Sequence, residues 1–509
     1  MTIVSDLHLG SGFNAEKGEY ARMEEFFYDY EFSLFIDKII MEAEQRARPH
    51  TLILNGDIFD FLSVNEVPSE AEAEQLGITL TAGEKKYGLG SSETRAVWKV
   101  RKILGGHPVF LQSLARFLLR GHEIIYIRGN HDLDLYWKGV RSTIQQSFRA
   151  VLIELGSSDG QEVERLVFRP WFHLIENEIY VEHGHQYDET NAITANLNPL
   201  LPEGSYGSRE RLLDYPIGSL FARFVYAPIR SVDPYRIHVI SFTQYLSVIR
   251  GFNIWQFIRT VHLNFPFFVR SVRNSISYSA EGLKNVMEKH EQRMHRYSSA
   301  SRISIKTLRR IDRLRERPLG HSMHNIFLET FKPILKKMIW VGVLSILSIY
   351  GWIFIFTALS SVLSHSVFGR ASVISVLAVL TVMGLFALLT KVGKALEGYQ
   401  DPLVEKSYIK ACKIAKIMNV KHVVMGHTHV IHQRTIKGRG KYLNTGTWIL
   451  FPGPWDNLQA QARQFTFATY RDGVLSLKKW NPSLREFVPP MVLSDEAPGT
   501  LVTTEKTIR

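Results

Sequence analysis

Short apolar runs rich in β-branched residues recur along the chain, and each stops abruptly at a polar step. Thr2-Ile3-Val4, Thr51-Leu52-Ile53-Leu54, Ile124-Ile125-Tyr126-Ile127, Ile179-Tyr180-Val181 and Val423-Val424-Met425 are too short for helices and read as buried strands. The polar steps are Asp6-Leu7-His8, Gly56-Asp57-Ile58-Phe59-Asp60, Gly129-Asn130-His131-Asp132, His183-Gly184-His185 and Gly426-His427-Thr428-His429. Open α/β sheets gather their ligands in a crevice at strand ends. The pattern therefore predicts one crevice lined by carboxylate, amide and imidazole donors, a set suited to two divalent cations.

A second pattern is the absence of charge. Met338 to Leu363 and Ala371 to Thr390 contain no Asp, Glu, Lys or Arg. Each is at least ~20 residues long, enough to cross a hydrocarbon core as a helix. Lys332, Lys336 and Lys337 precede the pair, Lys391 and Lys394 follow it, and only Arg370 lies in the connector. By the positive-inside rule a transmembrane hairpin here has both outer ends in the cytoplasm. The first and last motifs reach the same topology independently, because Asp6 and His429 meet only if the chain returns to the side it left. Met1 leads almost at once into the first apolar run, with no basic-then-apolar leader, so secretion is not expected.

Charge is unevenly distributed. The chain carries a formal +12, yet Leu201 to Trp340 alone holds 23 Lys and Arg against 10 Asp and Glu. The basic character belongs to one segment. Within it, Leu220-Phe221-Ala222-Arg223-Phe224 and Phe265-Pro266-Phe267-Phe268-Val269-Arg270 interleave aromatic residues with single arginines, as at a membrane interface. A helical cap over the site and a single-strand nucleic-acid surface are the competing readings, the last disfavoured beside two apolar spans. Cys412 is the only cysteine, which excludes an intrachain disulfide and a thiolate cluster. The remaining nitrogen and oxygen donors suit manganese, iron or zinc, with manganese the first choice. Ser63 to Ser92 is acidic and reads as a long surface loop, and the stretch from Asp495 onward reads as a disordered tail.

Taken together and in this order, the five motifs resemble those of the calcineurin-like metallophosphoesterase superfamily, over residues 1 to about 195 and about 400 to 480. Tyr442-Leu443-Asn444-Thr445-Gly446-Thr447-Trp448 is similar to the family's strand after the last motif. The resemblance implies an α/β fold: two mixed sheets face to face, flanked by helices, with a long helical insertion containing the transmembrane hairpin. It divides the chain into a first catalytic part (1–199), the basic aromatic insertion (200–335), the hairpin (336–393), a second catalytic part (394–490) and a tail (491–509).

The resemblance also assigns ligands. One cation takes Asp6, His8 and His429; the other takes Asn130, His183 and His427; Asp57 bridges both. His183 is preferred to His185 because it precedes the glycine. His131 becomes the cation that stabilises the transition state or protonates the leaving oxygen, with Asp132 orienting its ring, and Asp60 is a supporting group. The implied reaction is metal-dependent hydrolysis of a phosphoester or pyrophosphate, with a lipid-linked substrate and membrane lipids as expected partners and nucleic acid not expected. Among relatives, the UDP-2,3-diacylglucosamine hydrolases are the natural comparison. The chain departs from them at His131, where they carry arginine, at His185, where they carry aspartate, and in its hairpin. A membrane-tethered phosphodiesterase or nuclease for soluble substrates, and a catalytically silent membrane adaptor, are the alternatives.

Overall fold

The computed structural model describes residues 1–226, 280–319, 402–449, 464–493 and 501–503, with a few single positions between 263 and 358. The chain divides into two compact units, Met1–His321 with Pro402–Arg509, and Ser322–Asp401. All the described strands belong to the first unit.

Each of the five apolar runs forms a strand. In chain order the principal strands are β1 (Thr2–Val4), β2 (Thr51–Asn55), β3 (Glu123–Ile127), β4 (Leu166–Arg169), β5 (Phe172–Ile175), β6 (Ile179–Glu182), β7 (His422–Met425), β8 (His432–Thr435), β9 (Lys441–Asn444), β10 (Thr466–Arg471), β11 (Val474–Asn481) and β12 (Glu486–Val488). They build a seven-stranded sheet, β12-β11-β10-β1-β2-β3-β4, and a five-stranded sheet, β8-β9-β7-β6-β5. Both are mixed. β1, β2, β3 and β4 run parallel, while β1 pairs antiparallel with β10 through Thr2↔Thr469. β6 and β7 are parallel neighbours, with Ile179 opposite His422. Residues from the two ends of the sequence thus close each sheet.

Alternation decides which side chains meet. Ile3, Ile53 and Ile125 from the first sheet pack with Ile179, Val181, Val424 and Leu443 from the second, giving one apolar layer between the sheets. The intervening residues Tyr180, Val423, Met425 and Tyr442 point the other way, as a period of two requires. They are covered by Ala411, Ile414 and Ala415 of helix Pro402–Met418, and by Met294, Leu308 and Ile311 of helices Ala280–Ser301 and Ile305–Asp312. Part of the basic insertion is therefore built into the body that carries the sheets. On the outside of the first sheet, helix Asp29–Glu44 buries Phe32, Phe35, Ile36, Ile39 and Ile40, one helical stripe. Phe35 of that stripe stacks edge-on against Phe467, 4.9 Å between ring centres. The architecture agrees with the expected two-sheet α/β fold.

Two expectations fail. Residues 63–92 are not a plain loop: Glu70–Gln75 and Ala82–Tyr87 are short helices, each opened by a reciprocal capping box, Ser69 with Glu72 and Thr81 with Glu84. The spacing of Ser or Thr three residues before Glu favours helix initiation over an open loop. In the carboxy-terminal segment expected to be disordered, Leu501–Thr503 pairs antiparallel with Met491–Leu493, with Val492 opposite Val502. Among the described residues no helix is long and apolar enough to cross a membrane. The stretches 338–363 and 371–390 lie almost wholly outside those residues, as does most of the aromatic segment 219–273.

Candidate metal centre

The five polar steps lie at the carboxyl ends of β1, β2, β3, β6 and β7 and converge on one point. Asp6, His8 and His429 bring donor atoms within 4.8 Å of one another; so do Asp57, His183 and His427, and so do His8, Asp57 and His131. Six of the seven expected ligands therefore fall into two groups beside Asp6 and Asp57. The seventh, Asn130, immediately precedes His131, whose backbone N–H donates to Asp57 Oδ1 at 2.8 Å.

The backbone is bent to achieve this. Asp6, His8, Asp57, His427 and His429 all have φ between +52° and +69°. That left-handed conformation is uncommon for residues with a Cβ, and it persists only where surroundings enforce it. Here the strand ends enforce it mutually: the N–H groups of Leu7 and His8 both donate to Asp57 O at 2.9 Å, and His427 N–H donates to the Asp6 carboxylate at 3.1 Å. Thr447 Oγ donates to Asp6 O at 2.8 Å, which ties the segment after β9 to the first motif. Close approach also explains two of the motif glycines. A Cβ on Gly129 would stand 2.2 Å from Asp57 Oδ1, and one on Gly426 would stand 2.5 Å from Asp6 Oδ2.

Around Asp6, His429 Nε2 lies 3.2 Å from Oδ1 and His8 Nε2 lies 4.0 Å from the same atom. The two ring nitrogens are 3.0 Å apart and face one space. Around Asp57, His183 Nε2 lies 3.1 Å from Oδ2 while its Nδ1 meets Asn55 O at 2.9 Å. A ring that donates from Nδ1 to a carbonyl presents Nε2 as the free lone pair, the arrangement usual for a metal ligand. The structure brings His183, not His185, against Asp57; His185 Nε2 turns to Gln186 at 2.7 Å.

Among the buried polar atoms of the described residues that lack a hydrogen-bond partner are Asn130 Oδ1, His183 Nε2 and His427 Nδ1. Buried polar atoms are rarely left so, and each orphan calls for an explanation. These three belong to the residues assigned to a single cation, and one amide oxygen with two imidazoles beside a shared carboxylate fits a divalent metal. Burial opposes a charge on His183, but Asp57 and Asp6 outweigh it and raise its pKa to about 9. A cation bound to such a ring displaces the proton that the two carboxylates favour. His8, by contrast, is pushed down by burial to about 4.

The ring of His131 meets Asp60, with Nδ1 3.2 Å from Oδ1, and Asp60 Oδ2 lies 3.8 Å from His8 Nδ1. The orienting part given to Asp132 therefore falls to Asp60. Asp132 is wholly buried and accepts from Gly129 N–H, Ile58 N–H and Tyr126 O–H, so it shapes the turn of its motif. Its carboxyl pKa rises to about 7 through burial and the nearby Asp57.

Asp188 was not singled out from the sequence. Its Oδ2 lies 3.1 Å from His427 Nε2 and accepts from Asn191 Nδ2 at 2.7 Å, while Asn191 Oδ1 accepts from Asn130 Nδ2 at 3.4 Å. One carboxylate thereby steadies two of the donors whose other atoms are orphaned. No spacing marks it, because Asp188 and His427 are 239 residues apart.

Residues 1–214 match the family model described as Calcineurin-like phosphoesterase. No curated protein and no solved structure matches the chain.

Proposed function

From the premise that residues 1–214 carry a calcineurin-like metallophosphoesterase domain, the domain of a metal-dependent hydrolase, we propose that this chain hydrolyses a lipid-linked phosphoester or pyrophosphate at the cytoplasmic face of a membrane. The observation that carries the hydrolase reading is the pairing of two donor groups across Asp57, with the orphaned Asn130 Oδ1, His183 Nε2 and His427 Nδ1 on one side. Asp6, His8 and His429 would hold one divalent cation, and Asn130, His183 and His427 the other, with Asp57 between them. When bound, such a pair places positive charge at the attacking and leaving oxygens of a phosphoester and lowers the pKa of water. Manganese is the first candidate, with iron and zinc next.

The remaining groups have parts of their own. His131 is half-buried beside Asp57 and carries the proton for the leaving oxygen; Asp60 lies 3.2 Å from its Nδ1, which leaves Nε2 for that transfer. Asp188 and Asn191 hold His427 and Asn130 in register. Burial of the donors excludes bulk water and strengthens each electrostatic contact.

The membrane part of the reading rests on the two uncharged stretches and their flanking lysines. Tyr350 and Phe354, described positions within the first stretch, are 68% and 74% exposed, an arrangement suited to a lipid-facing surface. The test is a substrate screen of the purified full chain with added manganese, spanning lipid-linked and non-lipid phosphoesters, with metal content measured in parallel. Hydrolysis favouring acyl-bearing substrates supports the proposal. Equal turnover of soluble phosphodiesters makes the hairpin a tether only. A protein that binds no metal and turns nothing over is an adaptor.

A further inference from the structure

Asn130 and His427 share one support. Asn191 Oδ1 accepts from Asn130 Nδ2 at 3.4 Å, and Asn191 Nδ2 donates to Asp188, which meets His427. An amide is planar, so a partner that fixes Asn130 Nδ2 also aims its Oδ1, one of the orphaned donors. What holds Asn191 in turn is a stretch of backbone. Gly218 N–H donates at 2.8 Å to the carbonyl of Thr190, the residue before Asn191. A Cβ on Gly218 would stand 2.4 Å from Asn191 Oδ1 and 3.1 Å from its Cγ, so the bare Cα lies directly against the carboxamide. The amide nitrogen is meanwhile held by Asp188 Oδ2 at 2.7 Å and Thr190 Oγ1 at 3.2 Å. The side chain has little room to turn.

Gly218 sits in helix Ile217–Phe221, and its φ lies outside the left-handed region. The backbone therefore does not call for glycine, and a helix favours alanine over it. The neighbouring carboxamide supplies the reason instead. Such a contact constrains Asn191 only if the helix is itself fixed, and it is tied on both sides. Before it, Tyr215 O–H donates to Asp134 Oδ2 at 2.6 Å and accepts from Lys99 Nζ at 3.3 Å. Lys99 and Asp134 form a fully buried ion pair at 3.0 Å. A pair so buried needs further hydrogen bonds to offset its desolvation, and Tyr215 contributes one to each member. After the helix, Arg223 Nη2 donates to Gly88 O, and the ring of Phe224 meets that of Tyr87 at 5.0 Å.

We infer that Gly218 is a positioning residue for the cation site of Asn130, His183 and His427. Helix Ile217–Phe221 keeps the Asn191 carboxamide in the orientation that serves Asn130 and Asp188 together, and so couples the start of the basic aromatic insertion to that site. This rests on the two-cation reading and adds to it the part played by the insertion.

The test is calorimetric titration of the purified, metal-stripped full chain with manganese, with thermal unfolding of the metal-free protein beside it, for wild type, Gly218→Ala, Asn191→Ala and the double variant. The atom in the way of the new methyl group is the end of a side chain that can swing aside, so Gly218→Ala unfolds at the wild-type temperature. Each single variant weakens one of the two manganese sites by ~10-fold or more and leaves the other unchanged. The double variant binds no more weakly than Asn191→Ala, because the methyl group acts only through that amide. Wild-type affinity at both sites in Gly218→Ala overturns the inference. So do losses that add in the double variant, which would mean that Gly218 acts by another route. A lowered unfolding temperature with both sites weakened reduces Gly218 to general packing and also overturns it. Wild type that binds no manganese rejects the two-cation reading itself, a failure visible before any variant is compared.

Discussion

Nε2 of His183 faces Oδ2 of Asp57 across 3.1 Å, while Nδ1 of the same ring is fixed by the carbonyl of Asn55 at 2.9 Å. The second contact determines the first: with Nδ1 committed to a carbonyl, the ring has one tautomer in its neutral form and one direction for its lone pair. Asn55 is the last residue of β2, so the strand that delivers Asp57 also aims His183. The centre is consequently sensitive to changes in residues that touch no substrate.

Asp57→Asn removes the charge shared by both donor groups. Both cations should be lost from the purified protein, with turnover falling to background. Metal analysis alongside phosphoesterase assay checks this, and a variant that keeps two metals per chain removes Asp57 as the bridge.

His131→Ala leaves the ligand groups untouched. Metal content should stay at the wild-type level while turnover drops by ~10²–10⁴-fold, the range for loss of a general acid. Loss of metal from this variant would place His131 among the ligands instead.

Asp188→Ala frees Nε2 of His427 and loosens Asn191 and, through it, Asn130. Affinity for one of the two cations should weaken by about 10–100-fold, as for other groups that orient metal ligands. Titration with manganese should show one site displaced and the other unchanged; two unchanged sites contradict the assignment.

Gly129→Ala places a methyl group against Asp57 Oδ1 and, at 2.7 Å, against its backbone nitrogen. The carboxylate can swing but the backbone cannot, so overpacking should destabilise the fold by about 1–3 kcal/mol and lower metal occupancy together. Thermal unfolding and metal analysis read the two effects.

His107 gives a pH prediction remote from the metal donors. Burial works against its charge, but Asp29 Oδ2 at 2.9 Å and Glu24 Oε2 at 3.3 Å outweigh it and raise the pKa to about 9. The folded value lies above the unfolded value of ~6.5. Its stabilisation is therefore complete below ~6.5 and is lost as pH rises through about 9, a total on the order of 3 kcal/mol. Denaturant unfolding from pH 6 to 10 should show that decline in wild type and a flatter profile in His107→Gln. Parallel profiles would mean that the ring is not charged when folded.

Much of the fold and most of the donor set can be read from local pattern. Ile3, Ile53, Ile125, Val181 and Val424 announce strands because β-branched side chains suit a pleated, buried surface. The donors follow those runs because strand ends are where a polar side chain can leave the core. The capping boxes at Ser69 and Thr81 are equally local signals, and they mark helices where acidity alone suggests a loop.

Orientation belongs to another scale. That Asp60 rather than Asp132 meets the ring of His131 and that Asp188 steadies His427 are facts of side chains brought together from distant segments. Hydrogen bonding and ion pairing depend on differences of an ångström or less, and those distances are set only when both sheets and their covering helices have packed. Residue type and strand periodicity name the atoms available to a cation; the closed tertiary structure chooses which neighbour aims each of them.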